Sequence, residues 1–140
     1  MKMKLTSLLA TFAIGVAGCA VPPSQAAPQA RPITEVHIKL TEFKIELDKS
    51  AIPAGLVKFV INNTGAITHE VVLEAADVVD VPFEMDGRAS EAEAIAPNTS
   101  KSFEWTLDKP GKYRLACHTN ENEVDHFKLG MTTDITVTAS

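Results

Sequence analysis

A cysteine, two histidines and a methionine lie close together near the C-terminal end of the chain, in the stretch LACHTNENEVDHFKLGM. They are Cys117, His118, His126 and Met131. Core packing does not require sulfur and imidazole side chains together in a short segment that is otherwise acidic and polar. Thiolate, imidazole and thioether groups are ligands of transition metals, so these residue types indicate a metal site.

A further candidate imidazole comes from a distant part of the chain. His69 follows an Asn-Thr-Gly turn signal and begins the strand-like segment HEVVLE. Neighbours on a strand point to opposite sides, so His118 is predicted to point away from Cys117. A thiolate, two imidazoles and a weak thioether favour copper, whereas this combination is unusual for zinc. The candidate metal ligands are His69, Cys117, His126 and Met131.

The N-terminal segment determines whether Cys117 has a disulfide partner. Residues 1–18 combine a positively charged start with an apolar run and end just before Cys19, the other cysteine of the chain. The run is shorter than the roughly 20 residues of a membrane span, and the pattern resembles a bacterial lipoprotein signal peptide. A lipid on Cys19 leaves Cys117 unpaired, and an unpaired thiol in an exported protein indicates a metal ligand or a nucleophile. The alternative is an ordinary signal peptide cut after Ala26 or Ala27, with Cys19 incidental.

These features divide the chain into three parts. Residues 1–18 are the predicted signal peptide, 19–33 a proline-rich tether and 34–140 a single domain. The signal removes two lysines, which changes the formal net charge from −5 to −7. Nucleic acids bind basic surfaces, so this charge argues against them as partners. We expect an exported protein that is lipid-anchored to a bacterial membrane through Cys19, with its domain in the periplasm or at the cell surface.

Alternating apolar residues predict strands throughout the domain. Val36, Ile38 and Leu40 share one face of a strand, and similar alternation recurs up to the closing segment TTDITVTA. Short strands separated by Gly, Pro and Asn signals predict an all-β fold, a Greek-key sandwich or barrel. The alternation slips at residues 41–42, which predicts a bulge or a kink. The segment ASEAEA, residues 89–94, predicts a short helix in an otherwise loop-like acidic stretch.

The domain resembles a cupredoxin, a small copper protein of the plastocyanin and azurin type. The resemblance is carried by EFKIELDKSAIPAGLVKFVINNTGAITHEVVL around the first histidine and by APNTSKSFEWTLDKPGKYRLACH up to the cysteine. It continues in HFKLGMTTDITV, which holds the second histidine, the methionine and the closing strand. The resemblance implies that His69, Cys117, His126 and Met131 hold one copper ion, which cycles between Cu(I) and Cu(II). It also implies a monomeric electron carrier rather than an enzyme.

The segment between Cys117 and His126 departs from the family pattern. Familiar cupredoxins have a much shorter segment here, whereas this chain has eight residues, HTNENEVD. The insertion predicts a site that is green, red or more open to solvent rather than blue. It also brings further candidate ligands near the metal: His118, Glu121, Glu123 and Asp125.

Three other functions are compatible with the residues. A copper-trafficking or resistance lipoprotein would use the same site to exchange metal, and the long polar loop favours such lability. A metal-free sandwich would serve as an adhesion or interaction module, although it leaves Cys117 unexplained. A Cys-His pair would act in a thiol enzyme, although no substrate motif accompanies it. The acidic run between Glu74 and Glu93 either docks a basic redox partner, such as a cytochrome or a membrane oxidoreductase, or is a solvated face.

Overall fold

The structure is a computed structural model that describes residues 32–139. The predicted signal peptide, most of the tether and the predicted lipid site at Cys19 lie outside the described residues. Residues 32–139 contain strands and turns, and no helix there is long and apolar enough to cross a membrane. The strands in that range, in chain order, are β1 Thr34–Thr41, β2 Lys44–Leu47, β3 Ala51–Pro53, β4 Gly55–Asn63, β5 His69–Ala75, β6 Glu84–Met85, β7 Arg88–Ala89, β8 Glu91–Ile95, β9 Ser100–Leu107, β10 Gly111–Ala116, β11 Asn120–Glu121, β12 Val124–Asp125 and β13 Thr132–Thr138.

Two sheets form the body of the domain. One has the strand order β2-β1-β4-β9, and the other has the order β3-β13-β10-β5-β8. The pairs β1–β4 and β3–β13 are parallel, and the remaining pairs in the two sheets are antiparallel. Two short hairpins, β6–β7 and β11–β12, lie outside both sheets. Buried side chains from both sheets form one hydrophobic core, as in a β-sandwich. The predicted all-β class is confirmed.

The core follows from the alternation in the sequence. In β1, Val36, Ile38 and Leu40 are buried, and the residues between them are exposed. Phe59 of β4 and Ile135 of β13 belong to the same core. Because successive side chains of a strand point to opposite faces, one face of each strand is buried when the two sheets pack together.

Two local predictions are wrong. Residues 41–42 form no bulge, because β1 turns directly into β2 and Thr41 pairs with Lys44. The change of phase therefore marks a hairpin turn. Residues 89–94 form no helix, because β8 pairs with β5 at the edge of the second sheet and buries Ala92 and Ile95. Tertiary pairing outweighs the helix propensity of alternating Ala and Glu.

Candidate metal centre

Asn63 fixes the turn that leads to His69. Its Nδ2 donates to the carbonyls of Ile67 and Ile95, each at 2.8 Å, and its Oδ1 accepts the N–H of Gly65 at 2.9 Å. Asn63 is fully buried, so its amide satisfies backbone groups that would otherwise need water. His69 then begins β5, and its ring is fully buried.

Cys117 directly follows β10, and the alternation of that strand directs its side chain into the core. It is a free thiol. The Cys117 N–H donates to the carbonyl of Met131 at 3.0 Å, which brings the two residues together at one end of the sheet. The side chain of Met131 is buried in the same core cluster as Cys117.

His126 and Met131 are held in one compact turn. The Met131 N–H donates to the carbonyl of His126 at 3.1 Å, and the Gly130 N–H donates to that of Phe127 at 2.9 Å. Gly130 has a φ of 87°, a left-handed conformation that favours glycine because it has no Cβ. On the other side, the His126 N–H donates to the carbonyl of Thr119 at 3.1 Å. Backbone hydrogen bonds therefore fix both ends of this turn.

The eight residues between Cys117 and His126 form a small cover rather than an opening. Their β11 and β12 strands pair with each other in antiparallel fashion. Glu121 and Val124 of this hairpin line the same small cavity as His126, and His126 is only 1% exposed. The expectation of a more solvent-open site is therefore wrong, because the longer segment folds back on itself. The colour of the site stays a prediction.

Three donor atoms converge in the interior. Sγ of Cys117 lies 3.4 Å from Nδ1 of His126 and 4.0 Å from Nδ1 of His69. The two Nδ1 atoms are 3.2 Å apart. Bonds of about 2.0 Å to nitrogen and about 2.3 Å to sulfur place the ligands of one ion roughly 3 to 4 Å apart. The triangle therefore has the size of a mononuclear metal site, and its thiol and imidazole donors, with a buried methionine nearby, fit copper.

Burial sets the protonation of these three side chains. It lowers the pKa of His69 and His126, although nearby carboxylates, Glu42 among them, oppose the shift at both rings. Burial raises the pKa of the Cys117 thiol, and a hydrogen bond with Thr119 opposes that shift. At neutral pH the metal-free protein therefore holds two neutral imidazoles and a protonated thiol.

Two polar groups contact the sulfur of Cys117. The Glu70 N–H donates to Sγ at 3.5 Å, and the Thr119 hydroxyl lies 3.4 Å from it. Hydrogen bonds to a ligating sulfur tune the potential of a metal site. Sequence reasoning missed both residues. Their positions, directly after His69 and two residues after Cys117, are the signal that could have identified them.

His118 points away from the donor cluster, as strand alternation predicts. Its Nε2 lies 3.3 Å from a carboxylate oxygen of the buried Glu74, and its ring stacks on Phe127 with 4.7 Å between centroids. Glu74 also accepts a hydrogen bond from Arg114 at 2.8 Å. Within residues 32–139, the cluster that could hold a metal comprises His69, Cys117 and His126, and it includes none of the further candidates His118, Glu121, Glu123 and Asp125.

The sequence matches one family model. The model of the cupredoxin-like domain matches residues 8–126, a range that includes His69, Cys117 and His126. No curated protein sequence is significantly similar to the chain.

Several solved structures have a similar fold. Na-dithionite-reduced auracyanin from the photosynthetic bacterium Roseiflexus castenholzii is 22% identical, with a TM-score of 0.55, over 75% of this chain and 97% of that protein. Auracyanin B is 19% identical, with a TM-score of 0.55, over 75% of this chain and 88% of that protein. A multicopper oxidase is 17% identical, with a TM-score of 0.55, over 82% of this chain and 45% of that protein. Identities this low concern the fold alone.

The family match and the donor atoms lead to the same conclusion. The matched range covers most of the chain and contains the three residues whose donor atoms converge. Together with the buried Met131, they form a cluster that is able to bind one copper ion, which confirms the predicted cofactor. The predicted resemblance is also confirmed: the chain belongs to the cupredoxin-like domain family.

Proposed function

We propose that the protein is a monomeric electron carrier in which one copper ion cycles between Cu(I) and Cu(II). Its ligands are His69, Cys117, His126 and Met131. The observation that carries this proposal is the buried triangle of donor atoms, with separations of 3.2, 3.4 and 4.0 Å. Donors that already stand at ligand spacing need little rearrangement when the charge of the ion changes, and this favours rapid electron exchange.

The surrounding residues hold the donors still and exclude water. Asn63 ties down the turn before His69, and backbone hydrogen bonds link Met131 to both Cys117 and His126. Copper held by such ligands supplies one-electron redox chemistry. The N–H of Glu70 at the sulfur favours the thiolate that the metal requires.

Residues 32–139 offer little that favours an enzyme. All four proposed ligands are buried, so a substrate has no open position at the site. A multicopper oxidase shares the fold, but such enzymes need further histidines for a second copper cluster. The chain has four histidines; His37 is exposed on β1, and His118 contacts Glu74. We therefore propose a carrier without catalytic activity.

A copper-loaded sample tests the electron carrier against the alternatives. We expect an intense thiolate-to-copper absorption band in the visible range and a mononuclear Cu(II) paramagnetic resonance signal, together with slow copper loss to a chelator and fast electron exchange. A thiol enzyme or a metal-free module would give no such band. A band accompanied by rapid copper loss would instead support copper trafficking or resistance.

The partner we propose is a cationic redox protein that docks beside His118. A surface depression is lined by His118 and by four carboxylates, Glu70, Asp80, Glu91 and Glu93. Burial raises the pKa of Glu70 and of Glu91, and the charge of Asp80 adds to both shifts. These carboxylates repel one another, so a positively charged surface is a favourable occupant. His118 follows Cys117 directly in the chain, so the residue next to the proposed copper ligand lines the depression.

Charge reversal tests this docking site. The double variant Glu91→Lys with Glu93→Lys is expected to slow electron transfer from hexaammineruthenium(II) to the oxidised protein by about tenfold at low salt. The controls are the single variant Glu104→Lys on β9 and the double variant Glu104→Lys with Glu46→Lys on β2, which changes the net charge as much as the docking variant does. High salt should remove the difference between the variants, because it screens exposed charges. Equal rates in the docking variant and the double control would contradict the assignment.

We also propose that the protein is exported and anchored to a membrane through a lipid on Cys19. The support for this proposal is the N-terminal sequence alone. Wild-type protein expressed in a bacterium should fractionate with membranes and carry the mass of the lipid. Cys19→Ser should abolish both properties. Release of wild-type protein as a soluble form cut after Ala26 or Ala27 would identify an ordinary signal peptide instead.

A further inference from the structure

We propose that Glu42 is a positioning residue that holds His69 and favours Cu(II) over Cu(I), an inference that rests on the proposed copper site. Oε1 of Glu42 lies 3.8 Å from Nε2 of His69. This distance is too long for a hydrogen bond, but it places the negative charge of the carboxylate beside the polar edge of the ring. Nε2 is buried and has no hydrogen-bond partner among the described residues. The carboxylate therefore faces the polar atom of the ring that the donor cluster does not use.

Backbone hydrogen bonds hold the Glu42 carboxylate in this position. Oε1 accepts the N–H of Ala66 at 2.5 Å and the N–H of Ile67 at 3.2 Å. Gly65 packs directly against the carboxylate, and a Cβ at that position would collide with Oε1. The hairpin turn between β1 and β2 is thus fastened to the turn that leads into β5. The side chain spans two elements that are distant in sequence.

The hairpin turn between β1 and β2 contacts both proposed histidine ligands, through a charged side chain at His69 and an aromatic one at His126. Phe43, the next residue, packs edge-on against the ring of His126 with 4.9 Å between centroids. Nε2 of His126 has no hydrogen bond or carboxylate partner within residues 32–139. The turn therefore gives His69 a charged neighbour and His126 an apolar one. The charge of Glu42 also reaches His126, but among the two rings it is Nε2 of His69 that lies within 4 Å of the carboxylate.

The charge of Glu42 acts in a definite direction. The N–H groups of Ala66 and Ile67 both donate to Oε1 of Glu42, and hydrogen bonds of this kind favour the anionic carboxylate. A negative charge at the outer edge of the ring keeps the proton on Nε2 and leaves the lone pair of Nδ1 for the metal. It also stabilises the oxidised site, which carries one more positive charge than the reduced site. Removal of the charge should therefore raise the reduction potential.

Glu42→Gln tests the assignment, because glutamine keeps the size and an oxygen acceptor for the two N–H groups. We expect Cu(II) affinity to fall about tenfold and Cu(I) affinity to fall less, which appears as an upward shift in reduction potential. Glu104→Gln, on the exposed face of β9, removes the same charge away from the site and serves as the matched control. Gly65→Ala is a second variant, since it pushes the carboxylate aside and should shift the potential in the same direction.

A measurement on the metal-free protein makes the test independent of copper loading. Nitrogen NMR of the His69 ring should show mainly the Nε2-protonated tautomer in wild type and a mixed population in Glu42→Gln. The inference is overturned if Glu42→Gln matches Glu104→Gln in both potential and tautomer population. In that case a wild-type protein that still binds and cycles copper would leave the electron-carrier proposal intact. A wild-type protein that binds no copper would overturn both.

Discussion

Replacement of Asn63 by alanine should destabilise the domain more than its position in a turn implies. The side chain makes three hydrogen bonds, two from Nδ2 to the carbonyls of Ile67 and Ile95 and one to Oδ1 from the N–H of Gly65. Asn63 is completely buried, so alanine leaves backbone groups without partners as well as a small void. At about 1 kcal/mol for each hydrogen bond, the free energy of unfolding should fall by about 3 kcal/mol.

Urea unfolding of the metal-free protein measures this loss. With a slope of about 1 to 3 kcal/mol per molar urea, a loss of about 3 kcal/mol moves the midpoint down by about 1 to 3 M. Asn62→Ala is the matched control, because Asn62 is the neighbouring residue and is exposed. Its side-chain oxygen accepts a long hydrogen bond of 3.5 Å from the exposed Ser100 hydroxyl, so the midpoint should hardly change.

The same variant tests whether Asn63 positions the metal centre. The turn that it fixes leads directly to His69, so Asn63→Ala should also weaken copper binding in protein that is still folded. Asn63→Asp retains the acceptor for Gly65 but loses both donors, and it should be at least as unstable as alanine. Equal urea midpoints for the alanine variants at positions 62 and 63 would refute the reasoning, since they would mean that the three hydrogen bonds contribute nothing net.

Three further predictions concern the metal centre itself. Cys117→Ser should abolish the intense visible band, because hydroxyl oxygen lacks the covalent overlap of thiolate sulfur with copper; a retained band would exclude Cys117 as a ligand. Met131→Leu should keep the band and raise the reduction potential, since loss of the thioether disfavours Cu(II) more than Cu(I); an unchanged potential in electrochemistry would argue against an axial methionine. Copper binding at pH 7 should release about one proton per ion, because burial raises the pKa of Cys117 and lowers that of His69 and His126. The thiol proton must leave, so binding should tighten as the pH rises toward the thiol pKa, about tenfold per unit. An indicator dye in weakly buffered solution measures the release, and two protons per ion would mean that a histidine is charged in the metal-free protein.

The sequence by itself determined the fold class and the residue types of the site. Alternating burial is a local property, so the apolar face of β1, with Val36, Ile38 and Leu40, could be predicted from the spacing of those residues. The same alternation predicted that Cys117 points inward and His118 outward, as the structure has them. The chemistry of thiol, imidazole and thioether indicated copper before any geometry was known.

The tertiary structure decided features that depend on contacts between distant segments. Glu91–Ile95 form a strand rather than a helix because β5 offers an edge to pair with, and local propensity carries no information about that edge. The segment before His126 folds into a hairpin beside the buried imidazole, although its length predicted a more open site. Glu42 reaches His69 across a hairpin turn and a second turn, and nothing in its local sequence distinguishes it from other surface glutamates. Such contacts arise when the two sheets pack, and packing brings together residues whose separation along the chain is arbitrary.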